Sequence, residues 1–335
     1  MARLIIANNE APSEADRIRS LRAFHIRQGD NLFAMPEEQF LNMFRMSKAA
    51  VVTVLEELSY TSLANIDFPL HLQLLSTLAY YATGKAYDTM VILGATRRSA
   101  KLCIIRVSKA LSTSLWERYL NFPDNQQIVN FKRDFRSVAE ISELIGCMNS
   151  MEVAVKRNIG TEVGFTRLDY GRQFMKVLIV CGPHLQVTHI IVQNSCTDTD
   201  WEIFRESTLC SALEYGTYDS SLLLVDSSYP SQPYFQRPHD NPVTLAQDMF
   251  NLSHYVTHQI TNEVFSLLKR RFPCLENTME PIFPNNLCIP VACAILHNVC
   301  LRWASPMPAN NFNRPPAEND NDLRQHFHQQ YFVEE

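Results

Sequence analysis

The sequence lacks the patterns that mark several large protein classes. Its nine cysteines include no Cys-x-x-Cys pair, and an odd number of cysteines without such pairs argues against a disulfide framework and a zinc ribbon. Only nine glycines occur, and neither a glycine-rich phosphate loop nor a Gly-x-Ser-x-Gly elbow is present. Nucleotide-dependent enzymes and serine hydrolases are therefore disfavoured, and reduced thiols suit the cytosol or the nucleus.

Long hydrophobic runs and an excess of positive charge are also missing. No stretch approaches the roughly 18 apolar residues that a membrane span needs, and the apolar stretch near the N-terminus is too short for a signal peptide. A formal net charge of -5 gives no overall attraction to nucleic acid, so any DNA contact must use local basic patches. With 46% apolar and 19% charged residues, we expect a soluble, intracellular globular protein that contacts no membrane.

The first third of the chain has a helical pattern. Residues 1–45 are interpreted as an N-terminal arm with a short helix around 12–26, and residues 46–120 as an all-helical domain. A helix ending at residue 93, a break at 94–96 and a helix over 97–111 have the shape of a helix-turn-helix, and Thr96 is suited to cap the second helix. That helix either reads DNA or presents a solvated basic face on an ordinary bundle. Its basic residues are Arg97, Arg98, Lys101, Arg106 and Lys109.

Residues 121–303 mix strand and helix patterns. Strand-like runs at 145–149, 153–155, 175–181 and 187–192 precede a helix at 201–214, a buried strand at 222–226 and a loop at 230–245. Two later helices are predicted at 254–272 and 289–303, and residues 304–335 have the composition of a disordered tail. The order predicts an α/β fold, a mixed sheet flanked by helices that follows the all-helical region.

Three positions stand where a metal-dependent nuclease would need carboxylates. Asp226 ends one apolar run, Asn149 ends another, and Asn262 lies in a later helical segment. Open α/β sheets bind their ligands at the carboxyl ends of the strands. If the three residues converge there, the site keeps its oxygen atoms but loses most of its charge.

These stretches resemble a known family. Residues 223–230 resemble the second catalytic block of PIF/Harbinger transposases and of the nucleases derived from them, and residues 149–155 resemble the first block. Residues 250–272 are similar to the third block, and residues 292–298 to the cysteine and Leu-His-Asn helix of the family. The resemblance implies an RNase H-like sheet in which three acids of the Asp-Asp-Glu type bind two divalent ions for DNA strand cleavage and transfer. It also implies a separate Myb/SANT-like partner that supplies much of the DNA recognition.

The chain departs from the family at the acids themselves. Asn149 and Asn262 occupy the positions of the first Asp and of the Glu, and Asp226 alone is retained. Clustered carboxylates are needed because Mg²⁺ is a hard ion that prefers anionic oxygen, and two such ions about 3.5–4 Å apart repel one another. We therefore expect turnover to be lost, with Asp226 left as at most a weak metal ligand.

Neighbouring acids are candidate substitutes, and they are Glu152, Asp200 and Glu263. Glu152 is an odd number of positions from Asn149, so on a continuous strand it points to the opposite face. Glu263 is rotated by about 100° from Asn262 on a helix. An active site rebuilt from these acids would use Mg²⁺ or Mn²⁺.

Other candidates have simpler interpretations. A basic run after the third block either contacts phosphate or solvates a helix end, and it comprises Lys269, Arg270 and Arg271. Cys293, His297 and Cys300 share one helical face and could be zinc ligands, but buried structural roles are commoner. His184 and His189 flank a predicted hairpin, and histidines in such positions are seldom metal ligands.

The resulting hypothesis is a domesticated Harbinger-type transposase descendant without nuclease activity or cofactor. It is expected to act in the nucleus, with the cytoplasm as a further location, as a DNA- or chromatin-associated scaffold for a protein partner. The first alternative is an active divalent-metal-dependent nuclease that uses Asp226 with a substitute acid. The second is a sequence-specific DNA binder that acts through the basic helix.

Overall fold

A computed structural model describes residues 14–65, 68–156, 172–194, 198–279 and 286–308. The N-terminal part of the described chain is helical. Its helices are α1 (Glu14–Ala34), α2 (Glu37–Phe44), α3 (Lys48–Leu58), α4 (Leu70–Thr83), α5 (Ala86–Leu93), α6 (Arg97–Ser114) and α7 (Trp116–Tyr119). Gly84 and Gly94 end α4 and α5 with φ of 75° and 59°, a left-handed conformation that favours glycine at this position.

The segment predicted to be an arm contains α1 and α2. Helix α1 is longer than the predicted helix at 12–26, and Phe40 and Phe44 of α2 are buried in the core. The reason is the recurrence of large apolar residues at helical spacing, which packs α2 against α4. The predicted divisions at residues 45 and 120 stay predictions.

Helices α5 and α6 are joined by three residues, as the sequence predicts. The Thr96 hydroxyl caps α6 by accepting a hydrogen bond from the Ser99 backbone N–H at 3.3 Å. The apolar side of α6 packs against α4, α5 and α12. The interpretation of this pair as a helix-turn-helix stays a prediction, because short turns also join helices in ordinary bundles.

The second part of the chain is built on a five-stranded mixed sheet with strand order β3-β2-β1-β4-β5. The strands are β1 (Leu144–Lys156), β2 (Arg172–Cys181), β3 (Val187–Gln193), β4 (Leu222–Leu224) and β5 (Phe235–Gln236). The first three pair antiparallel, whereas β4 and β5 run parallel to β1. The mixed α/β sheet predicted from the sequence is confirmed, and β1 is its central strand.

Helices cover both faces of the sheet. They are α8 (Asn125–Ala139), α9 (Asp200–Arg205), α10 (Thr208–Glu214), α11 (Leu245–Arg271) and α12 (Cys288–Arg302). We call the apolar layer between the sheet, α11, α12 and the N-terminal helices the major core, and the layer between the sheet, α9 and α10 the minor core. Side chains of β1 alternate between them, because Cys147 and Met151 join the major core while Met148 joins the minor core.

Several element boundaries differ from the predicted ones. The two predicted strands at 145–149 and 153–155 form the single strand β1, and the loop predicted at 230–245 contains β5. The helix predicted at 201–214 is divided because Ser207 starts a new helix by accepting a hydrogen bond from the Cys210 N–H. Helix α11 begins at Leu245 rather than near 254, because Thr244 and Gln247 form a capping box.

The predictions of a disordered tail and of no membrane span can be compared only with the described residues. The predicted tail at 304–335 lies outside the described residues from 309 onward. Among the described residues, none of the helices combines the length and the apolar character needed to cross a membrane.

Candidate catalytic site

The register of two parallel strands brings Asn149 and Asp226 to one edge of the sheet. Cys147 of β1 lies opposite Leu224 of β4, which is the last pair between these two strands. Asn149 and Asp226 each follow two residues later, and Asn149 is still paired with Ile179 of β2. Cys147 and Leu224 belong to the major core, and side chains two residues apart share a face. Both candidate residues therefore lie on the α11 side of the sheet.

Helix α11 is fixed to this edge by hydrogen bonds from three of its side chains. His254 Nε2 lies 2.9 Å from the Val225 carbonyl oxygen, and His258 Nε2 lies 3.1 Å from that of Met148. One turn later, the Thr261 hydroxyl accepts a hydrogen bond from Asn149 Nδ2 at 3.1 Å. These contacts bring α11 to Asn149 and Asp226, and Asn262 is the next residue of the helix. The structure thus places Asn149 and the chain before Asp226 against α11, whereas the Asn262 side chain is exposed and bonds Gln259. Convergence of all three side chains stays a prediction.

The two histidines of α11 are neutral links and not cationic groups. Because carbonyl oxygens only accept, Nε2 carries the proton in both rings. Burial lowers the pKa of both His254 and His258, and it outweighs the carbonyl hydrogen bonds and the charge of Asp226, which act in the opposite direction. The rings stack with centroids 5.8 Å apart. Their roles were missed at the level of sequence, although the spacing of four residues on one helix face was visible.

The side-chain atoms of the two asparagines are used for internal hydrogen bonds. Asn149 Oδ1 accepts from the Ser150 N–H at 2.8 Å while its Nδ2 donates to Thr261. Asn262 is exposed, and its Nδ2 donates to Gln259 Oε1 at 3.0 Å. Asp226 is half-buried, and one of its oxygens accepts from the Ser228 N–H at 2.7 Å. The site therefore offers one carboxylate, and the amide of Asn149 is held in a neutral hydrogen-bond network.

This donor set does not fit a pair of divalent ions. Two hard ions held close together need several anionic oxygens to offset their repulsion, and the three predicted positions supply one. The described residues also contain no group of three or more His, Cys, Asp or Glu side chains arranged to hold a metal ion. We therefore derive no reaction step through a metal at this site.

The candidate substitute acids lie elsewhere. Glu152 faces the minor core side of β1, between Met151 and Val153 of the major core, and it lies opposite Lys176 of β2. Lys176 Nζ donates to Asp200 Oδ1 at 2.8 Å. Glu263 is exposed, and its neighbour Val264 is the residue that enters the core. The strand geometry predicted for Glu152 is thus found, and Asp200 is paired with Lys176.

A buried tyrosine, Tyr229, belongs to the minor core. The Tyr229 hydroxyl has no hydrogen-bond partner among the described residues, and its side chain is 1% exposed. Burial raises the pKa of Tyr229, and the negative charges of Asp200 and Asp226 raise it further. This hydroxyl therefore stays protonated at physiological pH.

The basic residues predicted to contact DNA fall into two groups. On α6 the exposed ones are Arg97, Arg98, Arg106 and Lys109, and Lys101 is partly buried. At the end of α11, Lys269 is partly buried and Arg270 is exposed. Whether any of these residues contacts DNA stays a prediction.

The prediction that Arg271 contacts DNA is wrong. Its side chain is buried, and its guanidinium donates to the carbonyl oxygens of Arg45 at 2.7 Å and Ser305 at 3.1 Å. A third bond reaches the Pro306 carbonyl oxygen at 3.3 Å. Arg271 therefore links the ends of α2 and α12 to the end of α11. Nothing in the run of three basic residues distinguishes the buried Arg271 from the exposed Arg270.

The Cys and His residues of α12 have structural roles. Cys293 and Cys300 are buried, and burial raises the pKa of Cys300 to about 11. His297 Nε2 donates to the Leu185 carbonyl oxygen at 2.8 Å, and burial lowers the pKa of His297 to about 4. The arrangement agrees with the structural interpretation and not with a zinc site.

Asn298, which follows His297, makes three further bonds. Its Oδ1 accepts from the Val187 N–H at 2.9 Å, and its Nδ2 donates to the carbonyl oxygens of Tyr119 and Val187, both at 2.6 Å. The Leu-His-Asn stretch therefore attaches α12 to the hairpin between β2 and β3 and to the end of α7. The sequence resemblance identified this motif but not its contacts.

The remaining histidines of the predicted hairpin do not form a ligand set. His184 is exposed, with its Nε2 3.0 Å from Asp134 Oδ2. His189 turns towards Trp116, and its Nε2 is buried without a hydrogen-bond partner among the described residues. Burial lowers the pKa of His189 to about 4.

The comparison with known proteins agrees with this mixed α/β fold. Residues 168–298 match the family model described as DDE superfamily endonuclease. This part of the chain is thus similar to the DDE superfamily endonucleases.

Curated relatives narrow the assignment. The protein named "Putative nuclease HARBI1" from Bos taurus is 27% identical over 258 residues, which cover 73% of this chain and 72% of the relative. The Homo sapiens protein of that name has the same identity and coverage, and the Mus musculus one is 26% identical over 263 residues, covering 75% and 74%. No solved structure shows significant similarity to the chain. The chain is therefore similar to harbinger transposase-derived nucleases over about three quarters of its length, and the resemblance predicted from the sequence is confirmed.

Proposed function

We propose that this protein is a domesticated transposase descendant without nuclease activity that acts in the nucleus as a DNA- or chromatin-associated scaffold for a protein partner. The observation that supports the proposal is the state of the candidate site. The sheet is formed and α11 is hydrogen-bonded to it, yet Asn149 and Asn262 stand at two of the three positions where the family has acids. Binding needs the fold, whereas phosphoryl transfer by two ions needs the missing charges.

A nicking assay on supercoiled DNA with Mg²⁺ or Mn²⁺ tests the loss of activity. We expect the wild-type protein and Asp226→Ala to give the same background. The double variant Asn149→Asp with Asn262→Glu restores the family's acids and is the positive comparison. Robust nicking by the wild-type protein that disappears in Asp226→Ala would refute the proposal.

The alternative of an active nuclease has less support. Glu152 lies on the other face of the sheet, and Asp200 is paired with Lys176. Glu263 is on the α11 surface, and reaching Asp226 would require the helix to turn. If wild-type nicking is observed, Glu263→Gln is the variant that would identify the rebuilt site, with Glu152→Gln as its control on the opposite face.

The exposed basic side of α6 supports a role in DNA binding. Binding through phosphate contacts weakens with salt, by a slope of about 0.9 per contacted phosphate. Charge reversal in the double variant Arg98→Glu with Arg106→Glu should therefore lower both the affinity for duplex DNA and the slope. Arg133→Glu on α8, also exposed, is the matched control. Equal slopes for the two variants would exclude α6 as the DNA surface.

Nuclear location and a Myb/SANT-like partner are proposals that come from the family resemblance. Imaging of the tagged full chain tests the location, and exclusion from the nucleus would refute it. Co-expression with a Myb/SANT-like protein from the same genome, followed by gel filtration, tests the partner. A complex of defined stoichiometry supports the proposal, whereas separate elution contradicts it.

A further inference from the structure

The outer side of α11 carries large apolar residues that nothing in the described chain covers. Leu245, Met249, Leu252 and Val256 are exposed by 77%, 55%, 56% and 43%. We call these four residues the apolar stripe. The opposite side of the same helix packs against the sheet, and its residues His254 and Thr261 are buried. A continuous exposed apolar surface of this kind marks an interaction site more often than a solvated surface.

The spacing of the stripe is that of a helix-pairing seam. Successive members are four, three and four residues apart, which is the alternation of the two core positions of a heptad. The same alternation places all four side chains on one line along two heptads. A second helix packed on this line would receive them as knobs between its own side chains.

The stripe is also symmetric about its own midpoint. If two α11 helices run antiparallel with the centre between Met249 and Leu252, Met249 of each copy faces Leu252 of the other. Leu245 then faces Val256 by the same operation. A twofold axis requires such a self-complementary surface. The four residues of the stripe form one when the two helices are aligned on the midpoint of the stripe.

The charges beside the stripe allow the same arrangement. Asp248 is the one Asp, Glu, Lys or Arg in 245–256, and His254 of this stretch faces the sheet. The antiparallel register places Asp248 next to Tyr255 of the second copy and not next to another Asp248. The exposed Tyr255 hydroxyl can donate to that carboxylate. Residues 245–256 contain no Lys or Arg, so the stripe itself offers no cationic side chain to the phosphates of a nucleic acid.

We propose that a second copy of this chain covers the apolar stripe through an antiparallel, twofold-symmetric pairing of α11. The proposal does not depend on the proposed function. A pairing that is limited to two heptads buries less than the roughly 800 Å² per partner of a standard stable interface, so a dissociation constant in the micromolar range is expected. The dimer would place the two candidate catalytic sites on either side of the paired helices.

Sedimentation velocity on the full chain tests the assembly. The wild-type protein should form a dimer that dissociates on dilution, and Leu252→Glu should raise the dissociation constant at least tenfold. Val52→Glu on α3 is the control, since Val52 is exposed by 44% and distant in sequence from the stripe. A wild-type protein that stays monomeric at about 100 µM would overturn the proposal, and so would equal effects of the two variants.

A mixing experiment tests the register and separates pairing from misfolding. Met249→Lys and Leu252→Glu should each be monomeric alone, because each places a charge against an apolar residue. Mixed together they should form a heterodimer, because residue 249 of one copy then faces residue 252 of the other. Circular dichroism checks that both variants are folded. Folded variants that stay monomeric when mixed would overturn the antiparallel pairing, since a parallel pair would not match these charges.

Discussion

Replacing Asn149 with Asp should create a pair of like charges whose cost depends on pH and on divalent ions. Asn149 lies within β1, two residues beyond the last pairing of β1 with β4, and Asp226 lies two residues beyond the same pairing on the β4 side. Neighbouring strands are about 4.8 Å apart. Two carboxylates at about 5 Å repel by about 3 kcal/mol at an effective dielectric constant near 20. Because both positions are partly exposed, salt and water reduce this to about 1–2 kcal/mol. The variant also loses the donor to Thr261.

The pH dependence of this variant has a definite sign. Like charges raise the pKa of one carboxyl in the folded state above its unfolded value. The penalty is therefore present above the raised pKa and disappears as the pH falls through it, so the variant approaches the wild-type free energy of unfolding near pH 5. An ion of Mg²⁺ between the carboxylates should relieve the same penalty near pH 7.5.

Urea unfolding at both pH values, with and without Mg²⁺, measures these effects. Ser150→Asp is the matched control because it adds the same charge to the next position of β1, on the other face of the strand. Its free energy of unfolding should not respond to Mg²⁺. If Asn149→Asp responds to pH and Mg²⁺ no more than Ser150→Asp does, Asn149 and Asp226 are not neighbours and the assembled site is wrong.

Three further variants test other parts of the structure. Asn298→Ala should lower the free energy of unfolding by about 3 kcal/mol because it leaves buried backbone groups unpaired, whereas the exposed Asn241→Ala should change it little in the same urea titration. Arg271→Met should destabilise by about 3 kcal/mol or more through the lost carbonyl bonds, while the adjacent exposed Arg270→Met stays within about 0.5 kcal/mol; equal losses would contradict the burial of Arg271. Because the pKa of His189 is lowered to about 4, its neutral form gives stability that is lost as the pH falls from about 6.5 to 4. His189→Leu should reduce this acid lability in pH-dependent thermal melts, and an unchanged pH profile would contradict the burial of His189.

The neighbouring positions of Asn149 and Asp226 followed from sequence because strands have strong local signals. The apolar runs before Asn149 and Asp226 predict buried strands, and the ends of parallel strands meet at one edge of a sheet. The alternation along β1 placed Glu152 on the opposite face for the same reason. These features depend on a period of two residues, which a single sequence displays directly.

The contacts that fix the site did not follow from sequence, because they join distant residues. His254 and Asn298 bind backbone carbonyls at sequence separations of 29 and 111 residues, and nothing local distinguishes such residues from solvated ones. Arg271 and Arg270 are adjacent in sequence yet one is buried and one exposed, because the helix rotates them apart. The start of α11 was predictable in principle, since Thr244-x-x-Gln247 has the form of a capping box.

The central position of β1 limits which part of this protein can stand alone. The stretch that matches the endonuclease family, 168–298, starts beyond β1, although β1 joins the β2–β3 hairpin to β4 and β5. An excised fragment with those limits would keep α9, α10 and α11 but would lack the strand between the β2–β3 hairpin and the β4–β5 pair. The strand edges left unpaired would invite aggregation. A fragment that is meant to fold on its own should therefore begin before residue 144. A fragment that begins at residue 168 should be insoluble.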